Sequence, residues 1–227
     1  MSLDKTKELA ELMTARQLIL QRLNARKYRD LREVYIGIAD TIESKLNRAK
    51  PLTEFGKRRL EKQIKELRES VRLIAPDLVD LAEIEVKYAH KSMLAAGVDA
   101  TLPSNTAIKA IAGATLVQGE GLNDWFKDLE SDLQKMITRQ AKVGVANGLT
   151  NREIADSLIG DWSKRTGNKG DQPLKLSLKS ATRIVRTATA QIATDARKAV
   201  YDANEELIFG YTHIATLDSR TTPQCGA

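Results

Sequence analysis

The chain has 227 residues, 42% of them apolar, 29% charged and 4% aromatic, with a net charge of +6. That length admits one or two domains with a core of Leu, Ile, Val and Ala, a composition that favours helices. No run approaches the ~18 apolar residues of a membrane span, and Met1-Ser2-Leu3-Asp4 lacks the basic and apolar segments of a secretory signal. With only Cys225, His90 and His213, neither an internal disulfide nor a Cys/His zinc site is expected, which fits a reducing compartment.

Residues 3–50 read as one long helix. Leu31, Tyr35, Ile38, Ile42 and Leu46 recur at steps of three and four, and Leu9, Leu12, Ile19 and Leu23 track a similar stripe before them. Lys50-Pro51-Leu52-Thr53 ends it, since proline disfavours helix in the residue before it; Thr53 is a candidate N-cap for the next helix. There Leu60, Ile64, Leu67, Val71, Ile74, Leu78 and Leu81 alternate steps of four and three, a heptad seam that asks for a partner at a shallow angle. The short connection makes an antiparallel hairpin with the first helix economical, with Pro76 kinking or restarting the second arm. Association of two copies through the 60–81 seam is the competing arrangement. Arms of ~40 residues extend ~60 Å at ~1.5 Å per residue, so residues 1–100 are expected to be elongated.

Between 97 and 121, Gly97, Pro103, Gly113, Gly119 and Gly121 mark a loop, a short helix opened by Ser104, and another loop. A third helix is expected over 122–147, burying Leu122, Trp125, Leu129, Leu133 and Met136 and stopping at Gly148. Thr150 and Glu153 form a capping box, with Leu149 and Ile154 at the staple positions, and start a short helix that ends near Gly160. Residues 161–176 read as a polar loop, either disordered or an arm onto a neighbouring subunit. A last long helix follows over 178–207, with Ile184, Ala188, Ile192, Ala196 and Ala199 buried. Tyr211–Leu217 then alternates as a short strand, whose ladder groups need a partner from another chain or from a continuation of this one. The fold class expected is mainly α with minor β: a long antiparallel helical hairpin over 1–100, then a helical domain over 101–227 with a short terminal β segment.

Charge divides the same way. Residues 1–75 hold 18 Lys/Arg against 11 Asp/Glu, whereas 76–227 hold 18 against 19. A basic stretch can bind nucleic acid by phosphate contact and counterion release, which makes Lys57, Arg58, Arg59 and Lys62 the candidate DNA contacts. The intermixed acids favour the plainer reading, a solvated helix face.

Near the end of the chain, Asp218 and Thr221 suit the satisfaction of backbone N–H groups in a tight turn, and Arg220 suits a carboxylate or carbonyl. Arg183 or Arg186 would meet Asp218 if the strand folds back. A catalytic Asp/Arg pair is the alternative, but no nucleophile or base constellation accompanies it, and His213 on a strand is more often a packed side chain. Cys225 reads as a structural thiol. Gly167-Asn168-Lys169-Gly170 lacks the spacing of a phosphate loop. No enzyme, cofactor or metal is expected.

These residues also form a recognisable order. LPSNTA (102–107), VGVANGLTNREIADSL (143–158), ATRIVRTATAQIATDARKAVYDAN (181–204) and GYTHIATLDSRTTPQC (210–225) together resemble the phage head morphogenesis family, the Mu F-like minor head proteins. The resemblance covers about 100–227, and the first 100 residues match only in being helical. Family members commonly carry a cysteine directly after Arg-Thr and another three residues on; here Thr222 stands at the first position and only Cys225 remains. They also usually continue with Leu-Asp-Gly and a further segment, so the 101–227 domain is expected to be incomplete at its C-terminus. The resemblance implies a minor structural protein inside a tailed-phage head, at or near the portal, acting in head assembly and in genome packaging or ejection. It implies a virion location after synthesis in the host cytoplasm, with Asp218, Arg220, Thr221, Cys225, Arg183 and Arg186 as structural motif residues. The implied partners are the portal protein, the major capsid or scaffolding protein and packaged double-stranded DNA, with no membrane. The alternative is a non-specific DNA-binding protein of the virion interior, delivered with the genome.

Overall fold

The computed structural model of the protein describes residues 3–47, 62, 64–67, 69–73, 78–114, 119–159 and 172–208. Six helices follow one another there: α1 (Leu3–Asn47), α2 (Leu78–Ala95), α3 (Asn105–Ala114), α4 (Leu122–Ala146), α5 (Asn151–Ile159) and α6 (Pro173–Asp202). A 3-10 turn at Glu205–Leu207 comes last, and the described residues between 62 and 73 are helical as well. The protein is mainly α, with no strand among the described residues. Thr53, the kink at Pro76, the polar loop at 161–171 and the strand at 211–217 lie outside them.

The helix ends follow local chemistry. Gly97 (φ +83°) and Gly148 (φ +70°) stop α2 and α4 in the left-handed region that suits glycine. At each stop two backbone bonds close a Schellman motif: Val98 N–H to the Met93 carbonyl (3.0 Å) and Gly97 N–H to Leu94, then Leu149 N–H to Gly144 (2.9 Å) and Gly148 N–H to Val145. The Ser104 hydroxyl accepts the Ala107 N–H at 3.2 Å and opens α3. The Thr150/Glu153 capping box forms in both directions, with Thr150 N–H on Glu153 Oε2 (2.7 Å) and Glu153 N–H on Thr150 Oγ1 (3.3 Å). Leu149 stays exposed, so only half of the expected staple is buried. The last helix begins at Pro173, five residues before the expected 178, because proline at the first helical position loses no needed N–H and its φ already suits the helix.

α1 and α2 run antiparallel, since Leu12 meets Tyr88 and Arg16 meets Glu85. The hairpin does not stand alone. α6 lies along it, antiparallel to α1 (Tyr35 with Ser177, Arg16 and Arg197 on one carboxylate) and parallel to α2. A pair of helices would leave one flank of the α1 stripe in water, and α6 covers that flank. Two cores result. The first joins Leu31, Tyr35 and Ile42 of α1 to Leu67 and Val71, to Phe126 and Leu133 of α4, to Leu158 of α5 and to Leu174–Val185 of α6. The second joins Leu20 of α1 to Val86 and Met93 of α2, Ile108 of α3 and Ile192, Ala196 and Val200 of α6.

Both cores draw on both sides of residue 100, so the boundary expected there does not separate them. Ile64, Leu67, Val71 and Leu81 are buried in these cores. The seam expected to recruit a second copy is therefore filled from within the chain at every described position except Leu78, which packs partly buried against the second core. Some faces sit one residue from expectation. α4 buries Phe126, Leu129, Leu133 and Ile137 while Leu122, Trp125 and Met136 pack at the margin. On α1 Leu20 is buried and Ile19 exposed. α4 and α5 meet closely at Gly144, where a Cβ would come 2.6 Å from Ile154 Cγ1.

Candidate functional site

Buried polar groups are where a helical protein can hold chemistry, and Glu85 is the outstanding one. The seam that runs Leu78, Leu81 would place its next apolar residue at 85, and the chain puts a carboxylate there. Glu85 is fully buried. Arg16 of α1 donates through Nε to Oε1 at 2.8 Å, and Arg197 of α6 donates through Nε to Oε2 at 3.1 Å. The Arg16 guanidinium also lies 5.3 Å from the Tyr88 ring centroid, and the Tyr88 hydroxyl donates to the Leu12 carbonyl. Each carboxylate oxygen is taken by an arginine and none is open to solvent, so no substrate proton can reach it. The triad ties three helices in one register.

A second polar tie closes the same end of the molecule. Asn204, just past α6, donates through Nδ2 to the carbonyls of Thr101 (2.9 Å) and Val200 (2.7 Å) and accepts the Thr101 N–H at 2.7 Å. Its amide is satisfied at both ends. His90 Nε2 lies 2.8 Å from the Ala100 carbonyl, which can only accept, so that ring nitrogen carries the proton. In the first core Tyr35 and Ser177 share a hydrogen bond of 2.7 Å beside an apolar cavity of about 10 Å3, roughly one water in size. Burial holds the Tyr35 phenol well above its ordinary range, against the smaller pull of Ser177. The Thr150 N–H, and after it the Thr150 hydroxyl, hold the Glu153 carboxyl below its ordinary value.

Among the residues singled out by sequence, Asp218, Arg220, Thr221, Cys225 and His213 lie outside the described residues, as do Lys57, Arg58 and Arg59. Lys62 is exposed, with Nζ 3.8 Å from Glu66 Oε1. Arg183 and Arg186 are exposed on α6, one turn apart. No three His, Cys, Asp or Glu side chains gather into a metal-binding group among the described residues, and no described helix is long and apolar enough to cross a membrane. Sequence reasoning missed Glu85 and Asn204. A charge on an apolar seam was the available signal for the first, and nothing local marked the second.

No protein-family model, curated protein or solved structure matches the chain.

Proposed function

We propose that the protein is a minor structural component of a tailed-phage head, held at or near the portal and acting in head assembly and in genome packaging or ejection. The observation that carries this reading is the ordered set of segments at 102–107, 143–158, 181–204 and 210–225, which resembles the Mu F-like minor head proteins. The helical build suits the role. α1 alone is 45 residues long, about 67 Å at ~1.5 Å per residue, and can reach along a neighbouring subunit. Its polar ties are internal and structural in character, which supports a scaffold role over a catalytic one. The partners in this reading are the portal protein first, then the major capsid or scaffolding protein.

The test is co-purification of the full chain with portal protein at high salt, followed by cross-linking of α2 and α6. A contact that survives salt and maps to the portal supports the reading. No association with portal in either low or high salt refutes it. The second reading, a DNA-binding protein of the virion interior, is favoured by one observation, the surplus of 18 Lys/Arg over 11 Asp/Glu in residues 1–75.

A further inference from the structure

One chemically labile step of the backbone falls at the corner between α4 and α5. Asn147-Gly148 is the only Asn-Gly pair in the chain. Glycine has no side chain to shield its own peptide nitrogen, so that nitrogen can attack the side-chain amide carbon of the preceding asparagine. The bond from Gly148 N to Asn147 Cγ forms and the Cγ–Nδ2 bond breaks. Nδ2 leaves as ammonia, taking the proton that the peptide nitrogen gives up. One water then opens the cyclic imide at either carbonyl, to aspartate or to isoaspartate.

The corner supplies the reactants and withholds the geometry. Asn147 and Gly148 are both exposed, so water reaches them. At ψ 3°, however, the Gly148 nitrogen eclipses the backbone nitrogen of Asn147, whereas ring closure needs it to eclipse Cβ. Swinging it there turns the Gly148 N–H off the Val145 carbonyl (3.1 Å) and the Leu149 N–H off the Gly144 carbonyl (2.9 Å), the two bonds of the Schellman motif. The Thr150/Glu153 box holds the far side of the same turn. Nor does the product fit back. Isoaspartate routes the main chain through the side-chain methylene, one backbone carbon longer, between helices that meet without slack at Gly144 and Ile154. Either product also leaves a carboxylate at the negative end of the α4 dipole.

We propose that Asn147-Gly148 is a modification site gated by the fold. The closed Schellman motif protects the asparagine, and opening of the α4–α5 corner exposes it to an irreversible deamidation that keeps the corner open. Because the chemistry is slow beside the opening and closing of a helix end, its rate follows the population of the open corner. The modified residue is then a lasting record of how often that corner has opened.

The test is incubation of the full chain at mildly alkaline pH, with and without urea, followed by mass spectrometry of the tryptic peptide cut after Lys142 and Arg152. Asn151 lies in the same peptide, precedes arginine rather than glycine, and serves as the internal reference. Asn147 is expected to convert at least about tenfold faster in urea than in buffer, where opening of the corner limits it. T150A removes the cap beside the site and is expected to speed conversion in buffer about fivefold, with E153A moving the rate in the same direction. S104A removes a cap of the same kind from α3 and is expected to leave the rate unchanged, because the reaction passes through local opening rather than global unfolding. Equal rates in buffer and urea would overturn the gating, as would no acceleration by T150A and E153A or equal acceleration by S104A. Asn151 converting as fast as Asn147 would overturn the assignment of the site. Chain converted in urea and then refolded is expected to melt lower than before, while N147Q carried through the same steps melts as it did. An unchanged melting temperature in the converted chain would overturn the claim that the product holds the corner open.

Discussion

Replacing Glu85 with Gln removes the shared partner of two arginines while preserving side-chain shape. The amide turns a donor group toward guanidinium donors, and Arg16 and Arg197 are left facing one another in a site where Glu85 is 0% exposed. Breaking a buried pair commonly costs ~3–5 kcal/mol. Here the Arg16 and Arg197 side chains are 11% and 27% exposed and can swing toward water, which brings the expected loss to about 2–4 kcal/mol. Urea denaturation followed by circular dichroism measures it. Amide exchange locates it: no residue from 7 to 19 of α1 is buried, so protection should fall before Leu20 and persist at Leu31–Ile42. R16M/E85L/R197M should recover most of the loss, because an apolar replacement carries no desolvation cost. A loss below ~1 kcal/mol for E85Q, or a triple variant as unstable as E85Q, would refute the account of the triad as a desolvated, mutually dependent unit.

Gly144→Ala gains ~1 kcal/mol of helix propensity but drives a methyl into Ile154, 2.6 Å away, at ~1–3 kcal/mol, so a net destabilisation of about 0–2 kcal/mol is expected. Combined with Ile154→Ala it should cost less than the sum of the two singles in a thermal-melt cycle; strict additivity would show that the contact is relieved by backbone movement. Tyr35→Phe orphans the buried Ser177 hydroxyl and should cost ~1–2 kcal/mol, with S177A in the same background returning most of it. The depressed Glu153 carboxyl fixes a sign for pH dependence. Its folded-state value lies below the unfolded one, so its capping contribution is complete above the ordinary carboxylate range and fades as pH falls through the depressed value. The stability gap between wild type and E153Q should narrow over that window, and a gap that ignores pH would contradict the cap.

What the sequence made legible was local. Ser104, the Thr150/Glu153 box and Gly148 each act within a turn of helix, and each appears where the spacing put it. The α1 stripe announced a helix and a buried side; it carried no label for the partner. That α6 covers it depends on contacts such as Tyr35 to Ser177, 142 residues apart, which no local period encodes. The one-residue offset on α4 has the same origin. Trp125 and Phe126 are both apolar, and only the position of α6 decides that Phe126 points inward. For the candidate sites, Arg183 and Arg186 were visible as motif members, and the structure places both exposed on α6, one turn apart.

Because α6 completes both cores, the order of synthesis matters. During translation α1 through α5 emerge first, each with an apolar stripe facing an absent neighbour, and the first core cannot close until Val185, nor the second until Val200, has left the ribosome. At ~5–20 residues per second that leaves the first helix waiting roughly 7–30 seconds with Leu31, Tyr35 and Ile42 uncovered. The nascent chain is therefore a natural client for a holding chaperone, and folding should register as one late event rather than as domains completed in turn.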